Sequence, residues 1–196
     1  MDKVTKVSGR AYPLGRDNID TDVILPGRFL KTITRSGLGV AAFEPVRAET
    51  GNVFADLRYV GAPIVIVGAN FGCGSSREHA VWAMMDFGIR AVVAESFSDI
   101  FASNAFKNGL LAVSLPSDQV AMLLKAAPAG PITIDLPTQK ISSDRIPAID
   151  FEIDPFRKKC LLEGLDEIGL TLASNAEVTA FERLRKTRQP WLEVRA

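Results

Sequence analysis

Between residues 63 and 127 the chain alternates short apolar runs with segments of helical spacing, and no other feature narrows its fold as much. "PIVIVG" (63–68) is continuously apolar, as a strand buried on both faces must be. "SREHAVWAMMDFG" (76–88) has helical spacing and stops at Gly88, which suits a helix C-terminus. "IRAVVAE" (89–95) is a second buried strand. "SFSDIFASNAFKNG" (96–109) is a second helix, with Ser96 or Ser98 as N-cap and Gly109 as its end. "LLAVSL" (110–115) and "SDQVAMLLKAA" (117–127) repeat the pair. Such alternation predicts an α/β layer with parallel strands.

The flanks read differently. "KVTKVSGRAYPL" (3–14) alternates and predicts a first strand. Residues 131–154 alternate in short runs, which predicts antiparallel strands, and "PFRKKCLLEG" opens a helix with proline. "SNAEVTAFERLRKTRQ" (174–189) is an amphipathic terminal helix, with 190–196 as a loose tail. Residues 28–60 mix glycine, charge and scattered apolar groups, and are read as a mobile substrate-recognition loop carrying short elements. The 196 residues are read as one domain, 1–196.

Composition excludes more than it selects. Lys plus Arg and Asp plus Glu are 23 each, so the formal charge is zero. A nucleic-acid binder would show a basic excess or stripe. No apolar run approaches the about 18 residues that span a bilayer, and "MDKVTKVSGRAYPLG" has no signal-peptide pattern. The two cysteines, Cys73 and Cys160, fit no metal-ligand spacing, and the single histidine adds little. The expectation is a reduced, cytoplasmic protein with no metal centre of its own and no Cys73–Cys160 disulfide.

The chemistry concentrates in "GANFGCGSSREHA" (68–80). Gly68, Gly72 and Gly74 allow positive φ and close backbone approach. The turn joins a strand to a helix, whose first N–H groups are open to an anion. Two hydroxyls and the Arg77 guanidinium follow at once, a set that suits a carboxylate or phosphate. No Gly-Lys-Ser/Thr follows, so a phosphate loop is a poor fit. A structural role competes: Ser75-x-x-Glu78 has the form of a capping box. Cys73 reads as a small buried residue and His79 as a structural hydrogen-bonder, with no acidic partner to complete a serine triad.

"NFGCGSSREHA" resembles the signature of the swivel domain of the aconitase superfamily, and within it the small subunits of 3-isopropylmalate dehydratases. "NIDTDVILPGRFLKTITRSGLG", "SFSDIFASNAFKNGLLAV" and "FRKKCLLEGLDEIGLTL" resemble further blocks of that family, so the likeness spans nearly the whole chain. It implies a swivelling β/β/α domain, with a mixed sheet and flanking helices. It implies a [4Fe–4S] cluster, held by a large partner subunit, whose open iron acts as a Lewis acid. It also implies that this chain binds no cofactor. By matching position it implies Ser75 as the base, working as an alkoxide. Ser76 and Arg77 would hold a substrate carboxylate, Arg35 a second one, and Asp22 would be the active-site aspartate. Where the family usually has proline this chain has Val81, which leaves a helix start at Ser75 open.

The implied activity is the isomerisation of 2- and 3-isopropylmalate by dehydration and rehydration, in leucine biosynthesis. The expected partners are the 3-isopropylmalate dehydratase large subunit and a small dicarboxylate, with no nucleic acid or membrane. Ile24, Leu25, Phe29 and Leu30 could wall an isopropyl group, or could belong to the core; Arg28 and Lys31 leave other superfamily substrates open. Those rivals are homoaconitase and methylmaleate or dimethylmaleate hydratase. A non-catalytic module that holds an anion through Arg77 and Arg35 is the rival of another class.

Overall fold

A computed structural model of the chain describes residues 1–31 and 33–192. Eight strands form two four-stranded sheets. One is parallel, in the order β2 (Ala11–Pro13), β3 (Ile64–Ile66), β4 (Ala91–Ala94), β5 (Leu111–Ser114). The other is antiparallel, in the order β1 (Lys6–Gly9), β6 (Ile132–Asp135), β7 (Lys140–Ser143), β8 (Ile146–Asp150). The α/β expectation therefore holds, with the parallel and antiparallel strands in separate sheets.

The strand expected over 3–14 is two strands in two sheets. Gly9 is the crossing point: a Cβ there would lie 2.7 Å from Pro63 Cδ. The residue before β3 thus presses against the backbone where the chain passes from one sheet to the other, and only glycine fits.

The parallel strands are buried on both faces and divide the interior. Val65, Val67, Val92 and Ala94 face one core, with Ala80, Val81 and Met84 of α3 (Glu78–Phe87) and Phe101 and Ala105 of α4 (Asp99–Asn108). Ile64, Ile66, Ala91 and Val93 face the other. There they meet Ile132, Ile134, Ile141 and Ile149 of the antiparallel sheet, and Val120 and Leu123 of α5 (Ser117–Ala126). The layers are helix, parallel sheet, antiparallel sheet. Each fully buried valine or isoleucine contributes about 1.5–3 kcal/mol relative to exposure, so period-2 burial on both faces fixes strand register.

Residues 28–60 are only partly a surface loop. Leu38, Ala41, Ala42, Phe43, Val46, Phe54 and Tyr59 are buried in the first core. Short 3-10 turns at Gly39–Ala41 and Val53–Ala55 and a one-turn helix, Glu44–Arg47, carry them.

The chain divides into two compact units, Met1–Gly164 and Leu165–Ala196, where the sequence reading has one domain. The second unit holds a helix at Glu167–Ala173, which the sequence reading lacks, and the expected terminal helix at Asn175–Arg188. Neither buries a residue. Of the expected tail, Pro190–Leu192 form a 3-10 turn and 193–196 lie outside the described residues.

Candidate active site

The glycine turn sits beyond the carboxyl end of β3, where the parallel ladder continues through single bridges. Phe71 pairs with Phe97 beyond β4, and Cys73 pairs with Asp20 beyond β2. Ligands of open parallel sheets bind at this edge.

Close packing explains the glycines. Gly72 has φ +73, and a Cβ there would lie 2.3 Å from the Phe101 ring. Gly68 has no positive φ; its hydrogen faces Asp17, whose Oδ1 accepts from Ala69 N at 2.7 Å. Asn70 N donates to Ser96 Oγ (2.8 Å), and Ser98 Oγ donates to the Gly72 carbonyl (2.6 Å). Ser98 also caps α4, accepting from Phe101 N at 3.3 Å. The two candidate N-caps thus divide the work: Ser96 holds the turn, and Ser98 both holds the turn and starts the helix.

The bridge at Asp20 brings the start of the chain onto the serines. Thr21 N donates to the Cys73 carbonyl (3.0 Å) and Thr21 Oγ1 to the Ser75 carbonyl (3.2 Å). Among the described residues, Thr21 is the one buried polar side chain. Asp20 caps the short helix Thr21–Ile24, so Asp22 lies in its first turn. Arg77 Nη1 donates to Asp22 Oδ1, which also accepts from Gly27 N at 3.1 Å. Arg77 is mostly covered (22% exposed) whereas Asp22 is open (55%). A Cβ at Gly27 would stand 3.3 Å from Asp22 Oδ1 and 3.7 Å from Arg77 Nη1, so the small residue keeps this pair uncrowded.

Ser75 is no cap. Helix α3 begins at Glu78, with Arg77 in the N-cap position and no side chain bonded to its first N–H groups. The capping-box reading fails because Ser75 and Ser76 lie in the exposed turn before the helix, and Glu78 is engaged elsewhere. Val81 is a buried core residue in the second turn and does not move the start upstream. No described side chain is bonded to the Ser75 or Ser76 hydroxyl. What converges here is a free hydroxyl pair, a guanidinium with part of its fork unspent, and an uncapped helix start. That arrangement favours an anion and stabilises a developing oxyanion.

Among the described residues Arg35 makes no hydrogen bond or ion pair with Asp22 or Arg77. Its Cζ lies 5.1 Å over the Trp82 ring, at a recess lined also by Ser36, Met85, Asp86 and Asn108. His79 packs its ring 4.6 Å from that of Trp82. Ile24 and Leu25 are fully buried core residues, and Phe29 and Leu30 pack partly against the same core. Arg28 is spent on Glu44. Both cysteines are free, and burial pushes the Cys160 thiol up. Thr21, Gly27 and Trp82 pack against these candidate residues and were not singled out by sequence reasoning. A threonine between two aspartates was the visible sign of the first; nothing local marks the other two.

The family model of the aconitase C-terminal domain matches residues 1–118. That of the C-terminal domain of the 3-isopropylmalate dehydratase small subunit matches 167–194. A 3-isopropylmalate dehydratase small subunit of Erythrobacter litoralis is 55% identical over 98% of this chain and 96% of its own length. One of Zymomonas mobilis is 55% identical over 98% of this chain and its own full length. The chain belongs to the 3-isopropylmalate dehydratase small-subunit family. A crystal structure of 3-isopropylmalate dehydratase from Methanocaldococcus jannaschii superposes with a TM-score of 0.68 at 28% identity, covering 90% of this chain and 99% of that one. Among the described residues no helix is long and apolar enough to cross a membrane.

Proposed function

We propose that the chain is the small subunit of a cytoplasmic hydro-lyase that interconverts 2- and 3-isopropylmalate through isopropylmaleate, in leucine biosynthesis, together with a large subunit. The observation that carries this is the convergence of Asp22, Ser75, Ser76 and Arg77 at one sheet edge, in a chain that matches such small subunits end to end.

Ser75, as alkoxide, takes the proton from the carbon next to the one bearing the leaving hydroxyl, and returns it in the reverse direction. A serine is a poor base until its oxyanion is stabilised. The uncapped start of α3 and the Arg77 guanidinium supply positive potential at that point. Ser76 and the unspent part of the Arg77 fork hold one carboxylate, while Asp22 keeps Arg77 aimed. Arg35 takes the second carboxylate, and residues 28–60 close over the substrate.

The family implies a [4Fe–4S] cluster. Among the described residues no three His, Cys, Asp or Glu come together as ligands, and Cys160 is buried. The donor set here does not fit a cluster, so we assign it to the large subunit.

The test is reconstitution. The isolated chain is expected to give no hydration of isopropylmaleate, and activity should appear on anaerobic mixing with a cluster-loaded large subunit. Turnover by the chain alone would overturn the split-enzyme reading.

A further inference from the structure

The indole of Trp82 is held from two helices at once. Its Nε1–H points to Asn108 Oδ1 at 3.0 Å and to Glu78 Oε1 at 3.3 Å. Asn108 Nδ2 donates to the same Glu78 oxygen at 2.8 Å and to the Asn104 carbonyl at 2.9 Å. Glu78 and Trp82 are four apart on α3, and Asn104 and Asn108 four apart on α4, so the clamp bridges the two helices beside the glycine turn. The ring edge is therefore spent, which leaves its face for packing. That face carries the Arg35 guanidinium.

The Arg35 charge rests on a ring face rather than on a carboxylate, as do those of Arg47 and Arg157. Arg16, Arg28, Arg58 and Arg77 each pair with a carboxylate. Among the described residues no carboxylate is bonded to Arg35. Asp86, the acid of the same recess, has Oδ2 taken by Gly39 N at 2.7 Å. A cation held on a ring face keeps its N–H donors at the edge unspent. A salt bridge would restrain the loop equally well but would use the donors that a ligand needs. The recess in front of it has a volume of about 330 Å³.

We propose that Trp82, clamped by Glu78 and Asn108, is a positioning residue that presents Arg35, donors free, to a substrate carboxylate. The idea rests on the assignment of Arg35 to carboxylate binding made above. Restraining the guanidinium before binding lowers the ordering cost that the substrate would otherwise meet, so its effect falls on binding more than on the chemical step.

Two arms test it. In the assembled enzyme, Trp82→Leu is expected to raise KM about tenfold, the size of a partly desolvated cation–π contact, with kcat within about threefold. Trp82→Phe keeps a ring face and should recover most of the KM. The second arm uses the isolated chain and perturbs no core residue. With Trp191→Phe in the background, Trp82 is the sole tryptophan, since the chain has two. Arg35→Ala should then increase acrylamide quenching of its fluorescence, because the guanidinium covers the ring. Unchanged quenching overturns the proposal. An unchanged KM in Trp82→Leu, beside a raised KM in Arg35→Ala, overturns the positioning role and spares the role of Arg35. An unchanged KM in both variants overturns the assignment of Arg35 to substrate, and this proposal with it.

Discussion

Ser75 stands clear of the helix that follows it, and this separates catalysis from capping. A serine N-cap replaced by alanine costs about 0.5–2 kcal/mol. Ser75 bonds to nothing through its hydroxyl among the described residues and sits exposed three residues before α3. Ser75→Ala should therefore change stability by no more than about 0.5 kcal/mol, the ordinary range for a surface substitution. Turnover of the assembled enzyme should fall by about 10²–10⁴-fold, the usual contribution of a positioned base. Ser75→Asp should fail as well, because a carboxylate is a weaker base and would sit near the substrate carboxylates. Melting temperature and rate measured on the same preparations check this. Near-normal turnover per folded molecule would remove Ser75 from the chemistry. Residue identity at Ser75, Ser76 and Arg77 was legible in the sequence because the run is contiguous. Asp22 and Arg77 were each named through family likeness, but their pairing was not legible, since 55 residues separate them.

At the scale of elements, the glycine turn depends on α4 as much as on α3. Ser98 begins α4 and its hydroxyl holds the Gly72 carbonyl, so one side chain serves two backbone segments. Ser98→Ala should cost about 2 kcal/mol, the upper end for a lost cap, since the buried Gly72 carbonyl loses its donor too. That corresponds to a fall of roughly 4–8 °C in melting temperature for a chain of this size. Ser98→Thr should restore most of it; thermal unfolding of the three proteins decides. The helix Glu167–Ala173 carries a pH-dependent cap. The Gly169 N–H bonded to Asp166 at 2.7 Å holds that carboxyl below the usual carboxylate range. Its folded pKa is depressed, so its contribution is complete above the unfolded value of about 3.9 and is lost as pH falls through the folded one. Hydrogen exchange at Gly169 should therefore show protection that declines only below about pH 4, allowing for the intrinsic rate; Asp166→Asn should flatten that profile. This helix escaped the sequence reading because "EIGLTLA" has a glycine inside and no buried face to impose a period.

At the scale of the whole molecule, the layering decides which parts are free to respond to a partner. Residues 39–60 bring Phe43, Val46, Phe54 and Tyr59 into the core and are anchored before any docking. Residues 28–31 and 33–37 are exposed or half-buried, with Ile33 at 94%. If the 28–60 segment closes on assembly, new hydrogen-exchange protection should concentrate in 28–38 and be small in 39–60; equal protection with and without the large subunit would count against closure. The alternation of strands and helices over 63–127, the antiparallel run after 131 and the clustering of reactive residue types on the serine turn were legible in the sequence itself. Those signals are local: they rest on apolar period, on glycine, and on adjacent reactive groups. Only the tertiary structure decided that the first alternating run serves two sheets, since the break is set by Pro63 packing on Gly9. It also decided that Ser75 is not a cap, that Thr21 and Asp22 meet the glycine turn, and that Arg35 rests on Trp82. Each of these depends on a contact between distant segments, whose partners no local pattern names.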